Sequence, residues 1–592
     1  MRSLLPAVLF AVSFGVPASL AAPAQRISAD GGGQTLTFLS GQYFEQVYFK
    51  YAPTAGTAAG LHQYDTQLEN YSAAGVQAQI AALHAWEKKI AAIDPGALDA
   101  EPAADREILL NQIRYALLQL EVERGWEKNP DTYSSGITGS VFSIMERPYA
   151  PVNTRLRAAI AREKQMPQVF ADARANLKNP PRIYTEIALE QIDGLVSFFQ
   201  NDVPAAFAAA DDAGAKAEFA KTNAAVITAL QSYAQWMKTD LLPRSNGDFR
   251  LGADTYAKAL AYSEMVDIPL DRLLQIGLDD LHKNQAEFAR VAKLIDPSKT
   301  PQQELAELAT MHPAPDQLLQ AFHDRFASEI AFIHAHNIIT IPSTVEPTLE
   351  ETPPFERATT QASMDSPGAF ETHSTKALFN VTLPDPKWTP ERTNDYLAAF
   401  NVGTIVSTSV HEAYPGHYVQ FLYQDQFPSK IRKIIGANTY IEGWAHYCEQ
   451  MMLDQGYNAP GVGAKDEREA HLIRLGQLQD ALLRDARFVV AIRMHTGVGG
   501  ALTIPQAEDF FVTEGYQARP IAEVETKRGT ADALYLYYTL GKLEIMKLRA
   551  DLMAKQGAAF SLQQFHDALM RQGPVPLKVV RKSMLHDDSP VL

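Results

Sequence analysis

Cysteine is almost absent from this chain of 592 residues, in which Cys448 stands alone. A single cysteine excludes an intrachain disulfide bond. A chain of this length can bury a large hydrophobic core without such bonds, whether as one large domain or as several smaller ones. The lack of disulfides is therefore compatible with an oxidising compartment but does not require one.

Basic stretches are also missing. The formal net charge is −16 and the sequence pI is about 5.4. Because binding to nucleic acid depends on lysine and arginine clusters that neutralise phosphates, we do not expect nucleic acid as the main partner. Hydrophobic residues make up 46% and charged residues 21% of the chain, which is typical of a soluble globular protein.

Long apolar runs are confined to the N-terminus. Residues 4–20 are largely apolar and follow Arg2, and Ser19-Leu20-Ala21 fits the small-x-small rule for signal cleavage. Residues 1–22 are therefore predicted to be a signal peptide, and the mature protein to be periplasmic or secreted without an integral membrane segment. The alternative of a membrane-anchoring helix is disfavoured because the run is short and contains two prolines.

Helical periodicity dominates what is present. Apolar residues recur at a spacing near 3.6 in 74–93, 103–123, 268–293 and 466–496, whereas 23–60 shows no clear period. The fold class is predicted to be mostly α, a large helical bundle. We divide the mature chain into an N-terminal helical half, 23–335, and a catalytic half, 336–592, which contains a strand-bearing segment and the histidine motif.

The segment 336–388 is rich in proline and interrupts the helical pattern. Two runs in it, 338–341 and 377–383, have the composition of short strands. We predict that 377–383 is an edge strand beside the active site, where an extended peptide could add backbone hydrogen bonds. The alternative is a structural strand that does not contact a substrate.

Two histidines and a glutamate follow in His411-Glu412-Ala413-Tyr414-Pro415-Gly416-His417. Imidazole and carboxylate are common zinc ligands. On an ideal helix His417 would lie about 240° round from His411, on the wrong side for a shared metal. Pro415 and Gly416 favour a local break that would return His417 to the metal. The alternative is a pair of exposed or hydrogen-bonded histidines at a helix end.

A second motif, Glu442-Gly443-Trp444-Ala445-His446-Tyr447-Cys448-Glu449, begins 25 residues after His417. Its two glutamates and its histidine are spaced to share one helical face. Glu442 is predicted to be the third metal ligand. Glu449 is the first candidate, and His446 the second, for a side chain that orients a metal ligand by a hydrogen bond without binding the metal itself. Glu449 could equally be an ordinary solvated acid.

These motifs resemble those of the bacterial domain-of-unknown-function family DUF885, a relative of the gluzincin-type zinc peptidases. Further similar stretches are Glu351-Thr352-Pro353-Pro354-Phe355, Pro367-Gly368-Ala369-Phe370-Glu371, Tyr538-Thr539-Leu540-Gly541-Lys542-Leu543 and Phe565-His566-Asp567-Ala568-Leu569. The resemblance covers nearly the whole mature chain. It implies a mostly helical fold with a deep central cleft, similar to that of angiotensin-converting enzyme and the oligopeptidases, and the strand-like runs in 336–388 predict a small β element near the active site.

Chemistry then suggests roles for the residues. Zn²⁺ held by His411, His417 and Glu442 would polarise a scissile carbonyl and lower the pKa of its bound water. Glu412 is placed to take the proton of that water.

An oxyanion donor is also expected. Tyr538 is the first choice and His495 the second, against the alternatives of a core tyrosine and a satisfied buried histidine. Arg549 is a candidate for binding a substrate carboxylate, although an arginine on a helix surface is commoner.

The sequence therefore predicts an exported zinc metallopeptidase that hydrolyses short peptides. Two alternatives stay open: a zinc amidase acting on cell-wall peptides, and a non-catalytic periplasmic metal-binding protein. The ligand set would also accept cobalt or manganese.

Overall fold

A computed structural model describes residues 29–592 except 353–356 and 358–359. The fold is mostly helical, as predicted. The predicted signal peptide, residues 1–22, lies outside the described residues, as does most of the family motif that begins at Glu351. Among the helices that the structure describes, none is long and apolar enough to cross a bilayer.

The first part of the chain forms seventeen α-helices within its described residues, besides short π-helical and 3₁₀ segments. Residues 23–60 lack a clear period in the sequence, yet most of them are helical, because Tyr43, Phe44 and Val47 bury their side chains in the core. The helices are α1 (Ala29–Tyr43), α2 (Phe49–Tyr51), α3 (Pro53–Ala58), α4 (Ala73–Ala91), α5 (Ala100–Leu118), α6 (Gly125–Lys128), α7 (Asp131–Met145), α8 (Val152–Glu163), α9 (Met166–Asn176), α10 (Arg182–Ser197), α11 (Val203–Ala206), α12 (Ala213–Trp236), α13 (Leu242–Arg244), α14 (Ala253–Ser263), α15 (Leu270–Ile295), α16 (Pro301–Leu308) and α17 (Leu318–Ala335).

A small sheet follows, with strands β1 (Thr348–Glu351), β2 (Ala362–Asp365) and β3 (Leu378–Val381) in the order β1-β3-β2. β3 pairs in parallel with β1 and antiparallel with β2. The prediction of a strand at 377–383 is confirmed, but its placement at the edge is wrong. β3 is buried in the middle of the sheet because its side chains Phe379 and Val381 belong to the core, which leaves β2 as an edge strand.

The predicted strand at 338–341 is also wrong. Ile338 and Ile339 are buried in the core, as their composition suggests. However, the backbone N–H of Thr340 donates to the Asp567 carboxylate (2.9 Å), so a side chain takes the place of a neighbouring strand. A short apolar run can therefore be buried without belonging to a sheet.

The rest of the chain is helical again. Residues 430–454 form two helices with a break at 435–437. The helices are α18 (Pro390–Leu397), α19 (Val402–Glu412), α20 (His417–Leu422), α21 (Lys430–Ile434), α22 (Asn438–Asp454), α23 (Glu467–Thr496), α24 (Ile504–Thr513), α25 (Arg519–Ala531), α26 (Tyr537–Gln556), α27 (Leu562–Arg571) and α28 (Leu577–Leu585).

The helices α19, α22, α23 and α26 pack against one another and form the scaffold of the site. α22 and α26 approach most closely at Gly443 and Gly541. A Cβ on Gly541 would lie 1.8 Å from the carbonyl oxygen of Thr439, so no larger residue fits there without moving a helix. This close contact positions the first turn of α26 beside Glu442.

The hydrophobic core does not follow the predicted division at residue 335. One cluster of buried side chains joins Phe44, Trp86 and Ile113 to Tyr414 and Trp444. A second cluster is centred on α15 and α23, and a third lies within 68–241. Because at least one core contains residues from both predicted halves, the cores do not mark a boundary at residue 335. The division into two halves stays a prediction.

Candidate metal centre

The break in the first motif lies where the sequence predicts it. Asn401 caps the N-terminus of α19 by accepting hydrogen bonds from the backbone of Gly403 and Thr404. The helix ends at Glu412, and a new helix, α20, begins at His417. Gly416 lies so close to α19 that a Cβ on it would be 1.8 Å from the carbonyl oxygen of His411, which only glycine permits.

Two hydrogen bonds hold this break in place. The backbone N–H of Gly416 donates to the carbonyl of Val410 (3.0 Å). The indole N–H of Trp444, on α22, donates to the carbonyl of Pro415 (2.9 Å). The loop between the two histidines is thus fastened both to its own helix and to the helix that carries Glu442.

His411, His417 and Glu442 converge and are called the His–Glu cluster below. The Nε2 atoms of His411 and His417 lie 3.5 Å and 3.4 Å from the same oxygen, Oε2 of Glu442. The two imidazole rings are nearly perpendicular, with centroids 4.9 Å apart. All three ligand atoms lie within 4.8 Å of one another, so they could hold one cation.

The donor set fits zinc. In a tetrahedral site with ligands at about 2.0–2.1 Å, neighbouring donor atoms are about 3.3–3.5 Å apart. The two nitrogen–oxygen distances of the cluster, 3.5 Å and 3.4 Å, match this spacing. Two nitrogens and one carboxylate oxygen are a common catalytic zinc set that leaves one position open.

Strong electrostatic coupling links the members of the cluster. Burial lowers the pKa of His411, but its interactions with the carboxylates of Glu442 and Glu449 outweigh burial and raise the pKa to about 10. Burial raises the pKa of Glu442, but the two histidines hold it well below its usual range. In the absence of a cation, a proton is therefore held among these groups, and metal binding would release it.

Glu449 supports the His–Glu cluster through a hydrogen bond with His411. Its Oε1 accepts a hydrogen bond from Nδ1 of His411 (2.7 Å), which leaves Nε2 of His411 directed to the cluster. Its Oε2 accepts from Ser407 and His446, each at 3.2 Å. Arg484 lies 3.5 Å from Glu449. Glu449 is buried rather than solvated, and its contact with His411 is the arrangement that fixes the tautomer of a metal ligand.

α22 itself is positioned by an acid from another helix. The carboxylate of Glu264, just after α14, accepts hydrogen bonds from the backbone N–H of Thr439 (2.9 Å) and from its hydroxyl (2.8 Å). A carboxylate at a helix N-terminus is favourable because it pairs with free N–H groups and with the helix dipole. Glu264 lies 175 residues from Thr439, so no local sequence signal indicates this cap.

Glu412 lies next to His411 and lines the same cavity. Its side chain is buried, with only 8% of the residue exposed, and its Oε2 has no hydrogen-bonding partner among the described residues. A buried carboxylate oxygen without a partner is costly unless a ligand or water uses it.

Tyr538 also lies near the cluster, as predicted. Its ring centroid is 6.5 Å from that of His411, and the side chain lines the cavity. Burial and the charge of Glu442 raise its pKa, so the phenol keeps its proton. It accepts a hydrogen bond from Arg528 (3.3 Å).

Two other predicted residues are not brought to the cluster. His495 is buried against Phe249 and Tyr256, where its Nε2 donates to the carbonyl of Gly529 (2.7 Å). Burial lowers its pKa, so this histidine is neutral. Arg549 donates to the hydroxyl of Tyr447 (3.1 Å) and does not line the cavity. Neither residue lines the cavity beside the His–Glu cluster, and their predicted catalytic and substrate-binding roles stay predictions.

The His–Glu cluster opens into a cavity of about 2040 Å³. Its lining includes Ala362, Ser363 and Met364 of the edge strand β2. It also includes residues of α23 and α25 that no motif in the sequence indicates, among them Arg484, Arg487 and Arg528.

Comparisons with known proteins give a family for the chain and solved structures with a similar fold. The DUF885 family, described as "Bacterial protein of unknown function", matches residues 53–584. No curated protein matches the chain. A solved structure described as a "putative lipoprotein of unknown function" from Shewanella oneidensis is 24% identical, with a TM-score of 0.76 over 94% of this chain and 100% of the other.

A second solved structure, the "putative lipoprotein" from Colwellia psychrerythraea, is 20% identical, with a TM-score of 0.77 over 94% of this chain and 99% of the other. At these identities the likeness concerns the fold alone.

Proposed function

Since the chain belongs to the DUF885 family, for which no function is described, we propose its function from the chemistry of its own residues: an exported zinc metallopeptidase that hydrolyses short peptides. Export is supported by the N-terminal sequence and by the description of two similarly folded proteins as lipoproteins. The activity rests on the residues of the His–Glu cluster and on Glu412.

The observation that carries the proposal is the unpartnered carboxylate oxygen of Glu412 beside the His–Glu cluster. A protein that only stores or transports a metal needs the three ligands but has no use for a further buried acid facing the same cavity. A hydrolase does need one, because a general base must accept a proton from the attacking water. This feature favours an enzyme over a metal-binding protein.

Each group has a role in this proposal. His411, His417 and Glu442 would hold the zinc ion, with Glu449 fixing the ring of His411. Zinc, when bound, supplies Lewis acidity that polarises the scissile carbonyl and lowers the pKa of water. Glu412 accepts the proton of the attacking water and transfers it to the leaving amine. The hydroxyl of Tyr538 donates a hydrogen bond to the developing oxyanion.

The lining of the cavity supports a peptide as the substrate. β2 is an edge strand, and it lines the cavity at Ala362, Ser363 and Met364. An extended peptide could pair with the backbone of such an edge, with its side chains pointing alternately to and from the wall. The predicted edge-strand interaction thus moves from β3 to β2.

The substitution Glu412→Gln tests the proposal. It removes the proton acceptor but keeps the size of the side chain. We expect zinc to remain bound at one equivalent, while hydrolysis of short peptides falls by about 10²- to 10⁴-fold. The measurements are elemental analysis of the dialysed protein and mass spectrometry of a peptide mixture incubated with it.

Glu544→Gln is the matched control. Glu544 is another buried glutamate with an unpartnered oxygen, but it does not line the cavity. We expect it to leave hydrolysis unchanged. Equal activity of wild type and Glu412→Gln would exclude Glu412 from the mechanism. Hydrolysis of peptidoglycan fragments but not of peptides would instead favour the amidase, and bound zinc without either activity would favour the metal-binding protein.

A further inference from the structure

We infer that the cavity wall formed by Arg487 and Arg528 next to Tyr538 binds a carboxylate of the peptide substrate. This inference rests on the proposed function and names a substrate class for the same site. It assigns to Arg487 and Arg528 the role that the sequence suggested for Arg549, which points elsewhere.

Three guanidinium groups surround the ring of Tyr538. The carbon at the centre of each lies 6.0 Å (Arg484), 4.9 Å (Arg487) and 5.9 Å (Arg528) from the ring centroid. Arg484 and Arg487 come from α23 and Arg528 from α25. Arginines that stack on an aromatic ring hold a fixed orientation, which suits them to planar, bidentate recognition of carboxylates.

Arg487 is held rigidly but keeps a free donor. Its Nε and Nη2 donate to the two oxygens of Glu525, at 2.6 Å and 2.8 Å. The side chain is only 8% exposed. Its Nη1 donates to no other group in the described part of the chain. The ion pair thus fixes the guanidinium and leaves one edge available to a ligand in the cavity.

Arg528 is the more accessible of the two. Its side chain is 38% exposed, and its contacts with Asp532 are long, 3.2 Å and 3.4 Å. Its Nη2 also donates to the hydroxyls of Tyr537 (3.4 Å) and Tyr538 (3.3 Å). Its Nη1 has no partner among the described residues. Such long contacts are weak, so a substrate carboxylate could replace or extend them.

Arg484 supports this wall but is not the binding group. It is held between Glu449 (3.5 Å) and Asp480 (3.4 Å), and its Nε is buried without a partner. Although Arg484 also lines the cavity, its guanidinium pairs with two acids, one of which supports His411 of the His–Glu cluster. It therefore links the cluster to the arginine wall.

The wall lies within reach of a peptide bound at the cluster. The ring of Tyr538 is 6.5 Å from that of His411 and at most 6.0 Å from each guanidinium carbon. The guanidinium groups are thus within about 13 Å of His411, which extended peptide spans in at most three or four residues. The carboxylate is therefore that of a residue close to the scissile bond, either a free C-terminus or an acidic side chain.

Matched peptides distinguish these two sources. One sequence without acidic residues is prepared as a free acid and as a C-terminal amide, and the amide is also prepared with one Asp or Glu at each position near the cleavage site. We expect the zinc-loaded protein to cleave the free acid at least about 10-fold faster than the amide, measured as kcat/KM, because a charged hydrogen bond is lost. Restored cleavage of the acidic amides would identify a side-chain carboxylate as the ligand.

The variants Arg528→Gln and Arg487→Lys then assign the groups. Each should reduce the ratio of kcat/KM for the carboxylate substrate to kcat/KM for the neutral amide by about 10-fold or more, mainly through the KM of the carboxylate substrate, because only that substrate presents a carboxylate to the arginines. Lys527→Gln is the matched control, because Lys527 lines the same cavity on the same helix but pairs with Glu190 (2.8 Å). It should retain the preference.

The inference and the proposed function fail in different ways. Equal cleavage of acid, amide and acidic amides by the wild type would overturn the carboxylate site but keep the peptidase. If the wild type cleaves none of them, calorimetry with the zinc-loaded protein decides: tighter binding of the free acid or an acidic amide than of the neutral amide, lost in Arg528→Gln, would support the site. Equal binding of all these peptides would overturn it.

Discussion

The His–Glu cluster can be compared with a second buried group of charged side chains, which we call the lysine cluster. It consists of Lys542, Asp280, Asp485, Asn284 and Thr539, and it lies on α15, α23 and α26. Lys542 donates to Asp280 (2.6 Å), Asn284 donates to Asp485 (2.7 Å), and Thr539 donates to the other oxygen of Asp485 (2.9 Å). Among these described side chains no buried nitrogen or oxygen lacks a partner.

By contrast, the His–Glu cluster and the neighbouring Glu412 do not have all their polar atoms in good hydrogen bonds among the described residues. Both Nε2 atoms converge on one oxygen of Glu442 at 3.4–3.5 Å, longer than a good hydrogen bond, and Glu412 has an unpartnered oxygen. It also faces the cavity, whereas Lys542 and the two aspartates do not line it. The lysine cluster is thus satisfied by the protein's own groups, whereas the His–Glu cluster and Glu412 keep atoms that a ligand could use.

The largest effect, on zinc binding, is expected from His417→Ala, which removes a proposed ligand from the His–Glu cluster. Loss of one of three protein ligands should weaken zinc binding by roughly 10³-fold or more, because each ligand contributes a large share of the binding free energy. Peptide hydrolysis should become undetectable. Zinc content after dialysis against a weak chelator, together with the circular dichroism spectrum, measures the loss of metal separately from loss of folding.

His495→Gln is the control for this substitution. It also replaces a buried histidine, but one whose contacts are with Gly529, Phe249 and Tyr256. The zinc content should stay that of the wild type. If His417→Ala kept its zinc, or if His495→Gln lost it, the assignment of the ligands would be wrong.

The next largest effect, on the free energy of unfolding, is expected from a change in the lysine cluster. Lys542→Met leaves Asp280 buried without its cation, and removal of one partner from a buried ion pair typically costs about 3–5 kcal/mol in the free energy of unfolding. Urea denaturation measures this change. The zinc content should be unaffected, because Lys542 does not contact the His–Glu cluster.

The double variant Lys542→Met, Asp280→Leu sharpens this test. It removes both charges, so much of the lost stability should return. A Lys542→Met protein of unchanged stability but without zinc would contradict the comparison, because it would place the lysine in the metal site rather than in the supporting core.

Much of the site could be predicted from the sequence because its signals are local. The two histidines, Pro415 and Gly416 lie within one short motif, and Glu442 and Glu449 are spaced by two helical turns. Imidazole and carboxylate groups at this spacing favour a metal site, and a proline followed by glycine indicates the break that the structure shows. Tyr538 was found through the family resemblance rather than through any pattern of its own.

The remaining features depend on contacts between distant parts of the chain. The order of three strands cannot be read from composition, so β3 was wrongly placed at the edge. Arg487 and Arg528 are 41 positions apart on different helices, and only the packing of α23 against α25 brings both to the ring of Tyr538. His495 has the residue type of a catalytic group, but its position near the end of α23 directs it into another part of the core.

The smallest effect is expected from Glu449→Gln, which changes the support of the His–Glu cluster and not its ligands. The amide keeps the size of the side chain but accepts a weaker hydrogen bond from Nδ1 of His411 (2.7 Å). Loss of such a supporting carboxylate typically weakens metal affinity by about 10- to 100-fold. Competition with a chromogenic chelator measures the zinc dissociation constant of each protein.

Asp485→Asn gives the matching change in the lysine cluster, since it also converts a fully buried carboxylate to an amide. If pairing with His411 is what matters, this control should bind zinc as tightly as the wild type, whatever its stability. Equal losses of affinity in both variants would mean that zinc responds to buried charge in general. The distinction between the His–Glu cluster and the lysine cluster would then fail, because both would act on the metal through the same electrostatic field.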